Sequence, residues 1–172
     1  FLFLRNWRST LIPVVAIPIS LVSTFFIMYI SDFSINILTL LGIVLATGLV
    51  VDDAIVVLEN IYQKIEEGMS PMQAAFKGSN EIVFAIISTT VTLVVVFLPI
   101  MFLQGLSGRL FREFGVVVAG AVLISAFVSL TLTPMMSAYL LKSGDHNAWF
   151  YRKTEPFFMG MNSLYERLLS GF

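Results

Sequence analysis

The chain has 172 residues, 58% of them hydrophobic and 12% charged, with a formal net charge of −1. A soluble domain carries about 25% charged residues, so the composition points to a membrane protein, and nothing in the bulk charge suggests nucleic acid as a partner. The absence of cysteine excludes a disulfide framework and thiol chemistry, and the single histidine, His146, sits in a polar stretch between Asp145 and Asn147, a setting that calls for neither metal nor cofactor.

The first residues, Phe1-Leu2-Phe3-Leu4, come without an initiator Met or a signal-peptide pattern and run into Arg5-Asn6-Trp7-Arg8. They read as the tail of an earlier apolar segment, in a piece of a longer polypeptide. From Thr10 to Ile30 follows an uncharged run of about 20 residues, the length that crosses a ~30 Å hydrocarbon core. Its Pro13 and Pro18 are tolerable because neighbouring helices can satisfy the freed carbonyls. The short link Ser31-Asp32-Phe33-Ser34 predicts a second helix returning beside the first, over residues 36–60 and on to Tyr62.

The second helix carries Asp52 and Asp53 in a segment that is otherwise apolar, small or weakly polar. A charged side chain at bilayer depth costs about 2.5–3.5 kcal/mol on insertion scales, and two neighbours also repel. Gly42, Ala46, Asp53 and Asn60 fall on one helical stripe, where small residues permit close helix approach. That predicts Asp53 in a packed interface, with Asp52 rotated by about 100° onto the face of Gly48.

After a polar stretch, Ser70-Pro71-Met72-Gln73 has the pattern of a helix start, with Ser70 as cap, Pro71 as first residue and Gln73 able to reach back. This short helix should run through Lys77 and Glu81 into a third span, 82–103. The glycines of Gln104-Gly105-Leu106-Ser107-Gly108 lack the Lys-Ser/Thr of a phosphate loop and read as a turn. A fourth span is expected over 114–141, with Gly115, Gly120, Ala121, Ser125 and Ala126 for packing. Residues 142–155 form a polar linker. In 156–172, Phe157, Phe158, Met161, Leu164, Tyr165, Leu168, Leu169 and Phe172 recur at helical spacing, with Asn162, Ser163, Glu166 and Arg167 on the other face; this suits a helix lying in the membrane interface. The fold class is therefore all-α: a four-span transmembrane bundle over 1–141 with a C-terminal amphipathic helix.

Arg5, Arg8, Lys64, Lys77, Lys142, Arg152 and Lys153 fall at one end of this arrangement, and only Arg109 and Arg112 at the other. The excess marks the cytoplasmic side, with both ends of the chain inside. Burial and a like-charged neighbour both favour the protonated form of a carboxyl, and such a pair titrates as one unit. An intramembrane acid that alternates between a proton and a cationic partner is a proton relay. None of the four spans holds that cation; Thr39, Thr47, Ser88, Thr89, Thr90, Thr92, Ser125 and Ser129 offer only hydroxyls. The counter-charge is expected from elsewhere in the polypeptide. The competing reading is a structural bundle in which the acids merely hold helices together. An intramembrane aspartic protease fits poorly, because its acids should face each other from different helices.

The segments Phe33-Ser34-Ile35-Asn36, Leu38-Thr39, and Gly48 through Val51-Asp52-Asp53-Ala54-Ile55-Val56-Val57-Leu58-Glu59-Asn60 resemble the fourth transmembrane helix of resistance-nodulation-division (RND) exporters. The likeness is greatest to the AcrB-like hydrophobe/amphiphile branch. It extends to Phe3-Leu4-Arg5-Asn6, Arg8-Ser9-Thr10-Leu11-Ile12-Pro13 and Leu132-Thr133-Pro134. The resemblance implies the third to sixth spans of a twelve-span subunit. It further implies a proton-driven drug exporter of the bacterial inner membrane, not an enzyme, working as a homotrimer with a periplasmic adaptor and an outer-membrane channel. By that likeness Asp52 and Asp53 carry the protons, and their Lys, Arg and Thr partners lie in later spans. Heavy-metal exporters of the family usually have one acid followed by Ala, so Asp53 argues against a metal substrate. Lipid-handling relatives share Gly48-x-x-x-Asp52-Asp53 and remain the alternative within the family.

Overall fold

The computed structural model describes residues 7–141. The expected linker 142–155, the amphipathic segment 156–172 and the opening Phe1–Leu4 lie outside the described residues. Within them every element is helical: α1 (Trp7–Ile30), α2 (Ile37–Glu66), α3 (Pro71–Phe97), a 3₁₀ turn (Leu98–Phe102) and α4 (Gly105–Leu140). At a rise of about 1.5 Å per residue, the 24, 30, 27 and 36 residues of α1 to α4 are each long enough to cross a bilayer, and all four are apolar enough to do so. The chain is a multi-pass membrane bundle.

The helices outrun the apolar runs that mark the spans. α2 continues through Gln63, Lys64 and Glu66, and α3 starts at Pro71, because nothing in those polar flanks breaks a helix. The stretch 104–108, read as a turn, is instead the start of α4. Gln104 is extended and Gly105 turns the chain at φ +90°. Gly108 then passes so close beneath Leu103 that a Cβ would collide with the Leu103 carbonyl. The glycines supply a corner and the first helical turn together.

Each boundary has a local cause. Asn36 Oδ1 accepts from the N–H groups of Leu38 and Thr39 (2.9 and 3.0 Å), while Thr39 Oγ1 accepts from Asn36 N–H (2.8 Å). The reciprocal box thus forms at the start of α2. At α3, Ser70 caps the Gln73 N–H and Pro71 takes the first position. The ends of α1 and α2 use one motif twice. Phe33 N–H reaches Met28 O and Asp32 N–H reaches Tyr29 O, and in the same way Met69 reaches Lys64 and Gly68 reaches Ile65. Asp32 (φ 54°) and Gly68 (φ 95°) hold the left-handed position that this cap requires.

α2 and α4 form the centre of the bundle. Each touches all the other helices, whereas α1 and α3 do not meet. Gly42 faces Phe114, Val117 and Val118, and Gly120 faces Ile27, so small residues on α2 and α4 set both crossings. Half of the most apolar stretch of α4 is buried, against 11% of that of α3; α3 therefore leaves most of its surface open. α3 approaches α2 at Gly78, where an added Cβ would stand 3.0 Å from the Ile61 backbone. Gly78→Ala is expected to lower stability by about 1–3 kcal/mol through overpacking. The exposed neighbour Asn80→Ala should stay within about 0.5 kcal/mol. Thermal unfolding of the detergent-solubilised protein distinguishes them, and equal Tm values would contradict the close α2–α3 crossing.

Candidate functional site

Asp52 and Asp53 lie at the middle of α2, fifteen and sixteen residues after Ile37. Adjacent residues on a helix diverge by about 100°, and the two carboxylates accordingly meet different surroundings. Asp53 is half-buried at the seam with α4; Asp52 is exposed on the open flank of α2.

The seam is built from below upward by small side chains. Gly42 lies against Phe114, Val117 and Val118, Ala46 is fully buried, and Val50 and Ala54 are buried on either side of Asp53. Just beyond, Ala54 of α2, Ala16 of α1 and Val128 of α4 share one apolar cluster. Partner numbers rise together along the seam, from Asn36 with Glu113 to Asp53 with Ser125, so α2 and α4 run parallel. Asn36 Nδ2 donates to Glu113 Oε2 at 2.7 Å while its Oδ1 caps α2, which pins the register at that end.

Ser125, fully buried on α4, brings its Oγ to 2.9 Å from Asp53 Oδ2 and 3.3 Å from the Val50 carbonyl. One hydroxyl has one proton to give. With Asp53 ionised, Ser125 donates to the carboxylate. With Asp53 protonated, the carboxyl can donate to Ser125 Oγ, and the hydroxyl proton turns to Val50 O. The same three atoms can thus hydrogen-bond either protonation state of the acid without moving a helix.

Of the eight hydroxyls that the sequence offered, Ser125 is the one that reaches the pair. Thr47, Thr89, Thr90 and Thr92 bond back to carbonyls of their own helices, and Thr39 caps α2. Composition could not make that choice, because it depends on which face of α4 meets α2. Asn60, placed by spacing on the stripe of Gly42, donates instead to the Gly78 carbonyl of α3 at 2.7 Å. The stripe therefore meets α4 at one end and α3 at the other. Gly48 has nothing within 4 Å of where a Cβ would be, and it shares with Asp52 a flank that no described residue covers. Among the described residues, Lys64 pairs with Glu67 and Glu81 at 3.4 and 3.3 Å. It lies eleven residues from Asp53, about 16 Å along the axis, too far to balance the acid.

This arrangement, an acid pair split between a packed seam and an open flank of a spanning helix, sits in a chain whose whole length, residues 1–172, matches the family model for AcrB/AcrD/AcrF. The chain belongs to that family. Its relatives include proteins named multidrug resistance protein MdtC. That of Proteus mirabilis is 51% identical over all 172 residues and that of Pectobacterium atrosepticum 48%, each alignment covering 16% of the relative. The Klebsiella pneumoniae protein is 58% identical over 144 residues, 84% of this chain and 14% of its own length. The chain thus spans about a sixth of the relatives it matches, and the RND likeness seen in the α2 segment holds across it.

Ser125→Ala should remove the carboxyl–hydroxyl bond and cost about 1 kcal/mol of stability, while Ser125→Thr should retain it. Infrared difference spectroscopy reads this directly: the carbonyl band of protonated Asp53, identified by its loss in Asp53→Asn, is expected to move to higher frequency in Ser125→Ala alone. An unmoved band would mean that Ser125 is not the partner.

Proposed function

We propose that this chain is the proton-carrying part of an RND multidrug exporter, in which proton entry drives drug export. The reading rests above all on one observation: two adjacent carboxylates stand at mid-span, one hydrogen-bonded across a helix seam and the other open, with no described cation beside them. Packing alone would be served by one acid; the second is unexplained by helix adhesion. Ser125 supports the reading by offering bonding to both states of Asp53, the property a group needs if it gains and loses a proton in each cycle.

In this proposal Asp52 and Asp53 load and release the protons. Gly42 and Ala46 keep α2 tight on α4 so that Asp53 stays at Ser125, and Gly48 leaves room for a covering element. That element belongs to the remainder of the polypeptide and brings the Lys, Arg or Thr that answers Asp52. Drug selection belongs to the same proposal through the names of the relatives, and a homotrimeric state and a periplasmic adaptor with an outer-membrane channel through the family resemblance. So does an inner-membrane location with the Arg8, Lys64 and Lys77 end cytoplasmic, in keeping with the positive-inside rule. No enzymatic step is required.

Asp52→Asn or Asp53→Asn in the complete transporter is expected to abolish drug efflux, to less than about a tenth of the wild-type rate, with expression and assembly intact. Asn keeps the size and much of the hydrogen bonding of Asp but cannot carry a proton at working pH. Wild-type efflux in either variant would leave the acids as packing elements. A panel of drugs, lipids and metal ions tested on the wild type decides the substrate class, and export of lipid alone would replace the drug assignment.

A further inference from the structure

Four buried hydroxyls make no hydrogen bond among the described residues: Ser9 and Ser20 of α1, and Thr133 and Ser137 of α4. All four side chains belong to residues that are 0% exposed. A helical Ser or Thr ordinarily turns back to the carbonyl four residues earlier, as Thr24, Thr47, Thr90 and Thr131 do here. Thr133 and Ser137 have the same option, at the carbonyls of Ser129 and Thr133, and do not take it. Their hydroxyls are left for a partner inside the bundle. Buried polar groups of this kind are where proteins hold internal water.

The hydroxyls form a row. On α4, Ser125, Ser129, Thr133 and Ser137 follow one another at intervals of four residues, and all are buried. The row begins at Asp53, whose carboxyl lies 2.9 Å from Ser125 Oγ, and runs to the last turn of the helix. α1 passes it in the opposite direction, since Ile27 meets Gly120 while Ala16 shares a cluster with Val128. Ser20 and Ser9, seven and eighteen residues before Ile27, therefore stand at the heights of about residues 127 and 138 of α4. All four unpartnered hydroxyls thus lie between the height of Asp53 and the end of the bundle that carries Arg8 and Lys64. Pro13 and Pro134 have no N–H for the carbonyls of Ser9 and Leu130, four residues earlier, which leaves two more acceptors without a helical donor towards that end. On the α2 side, Val57 and Ile61, both 0% exposed, continue the Asp53–Ser125 register and give the row an apolar wall.

We propose that Ser125, Ser129, Thr133 and Ser137, with Ser20 and Ser9 of α1 at matching heights, order a file of internal waters that carries protons between Asp53 and the Arg8–Lys64 end. The inference rests on Asp53 as a proton carrier. Spacing supports it: four residues of helix rise about 6 Å, and two O–H···O bonds in line span about 5.6 Å. One water therefore bridges each rung to the next. A proton passing from Asp53 to the first water is matched by one leaving the last, so every water and hydroxyl ends with the protons it began with. Hydroxyls suit this task, because each both donates and accepts and none carries a charge that would trap the proton. The file runs inside the bundle, on the side of Asp53 that Ser125 holds, and not along the open flank of Asp52.

The test uses the complete transporter. A cryo-electron microscopy map that resolves ordered water should show density between successive hydroxyls from Ser125 to Ser137, and a dry row would overturn the proposal. Proton movement is read by time-resolved infrared spectroscopy on vesicles that present the Arg8–Lys64 end outward. After an alkaline jump outside, the carbonyl band of protonated Asp53 decays as its proton leaves. Thr133→Val, which replaces the hydroxyl by a methyl of similar size, should slow that decay about ten-fold or more. Thr133→Ser should restore it to within about two-fold of wild type. Thr131→Val, at an exposed hydroxyl bonded to the Phe127 carbonyl, should leave it unchanged. Ser137→Ala should also slow the decay, and it decides the matter if Thr133→Val fails to assemble. Decay at the wild-type rate in either assembled variant would overturn the proposal, with Asp53 still a proton carrier. Wild-type efflux in Asp53→Asn would instead remove Asp53 as the carrier, and the file with it.

Discussion

The contact on which the bundle depends is the parallel seam between α2 and α4. It is the line along which both other helices find their places, and it is the surface that receives Asp53. A seam this close requires small residues on its line, and Gly42, Ala46, Ser125 and Ala126 supply them. The absence of a hydrophobic driving force between helices in lipid makes such packing, with interhelical hydrogen bonds, the main source of association. The Asp53–Ser125 bond and the Asn36–Glu113 bond are both of that second kind, and they stand at different heights along the same seam. Register is thereby defined at two points, which a row of methyl and methylene contacts alone would leave freer to slide.

The seam also explains how a carboxyl can be kept at mid-span. An isolated polar group in an apolar medium is expensive, and most of that expense disappears when it is hydrogen-bonded. Ser125 contributes a hydroxyl that is itself buried and would otherwise need a carbonyl of its own helix, as Thr90 and Thr92 do. Asp53 and Ser125 thus satisfy each other, with Val50 O as the alternative acceptor. Asp52 has no comparable arrangement within the described residues. It shares with Gly48 a flank that is open among the described residues.

Much of this architecture was legible from residues. Uncharged runs of spanning length, separated by Ser31–Ser34, by the polar stretch after Tyr62 and by the glycines at 105 and 108, determine four helices in order. The spacing of Gly42, Ala46 and Asp53 placed the three on one side of α2, because helical period is a local property. The other half of the site was less accessible. Which of eight hydroxyls meets Asp53 depends on the rotation of α4 about its axis, a consequence of packing along its whole length and not of any local signal. The start of α4 was misplaced for a related reason. Glycines at 105 and 108 weaken helix propensity, but here one occupies a left-handed corner and the other a point of backbone contact, roles that only the folded chain distinguishes. Asn60 likewise has the right phase for the stripe and a different partner, since the stripe passes from α4 to α3.

The two acids are consequently unequal, although they are neighbours of identical chemistry. Asp53 is held by a helix of its own bundle through a bond that exists in either protonation state, so a proton arriving there changes the direction of hydrogen bonds more than their number. Asp52 faces outward beside Gly48, on a flank that no described residue covers. A change of charge at Asp53 is therefore met inside the seam, and one at Asp52 on the open flank. A single step of about 100° around the helix is thus enough to give two neighbouring carboxyls different surroundings, one in a packed seam and one on an open flank.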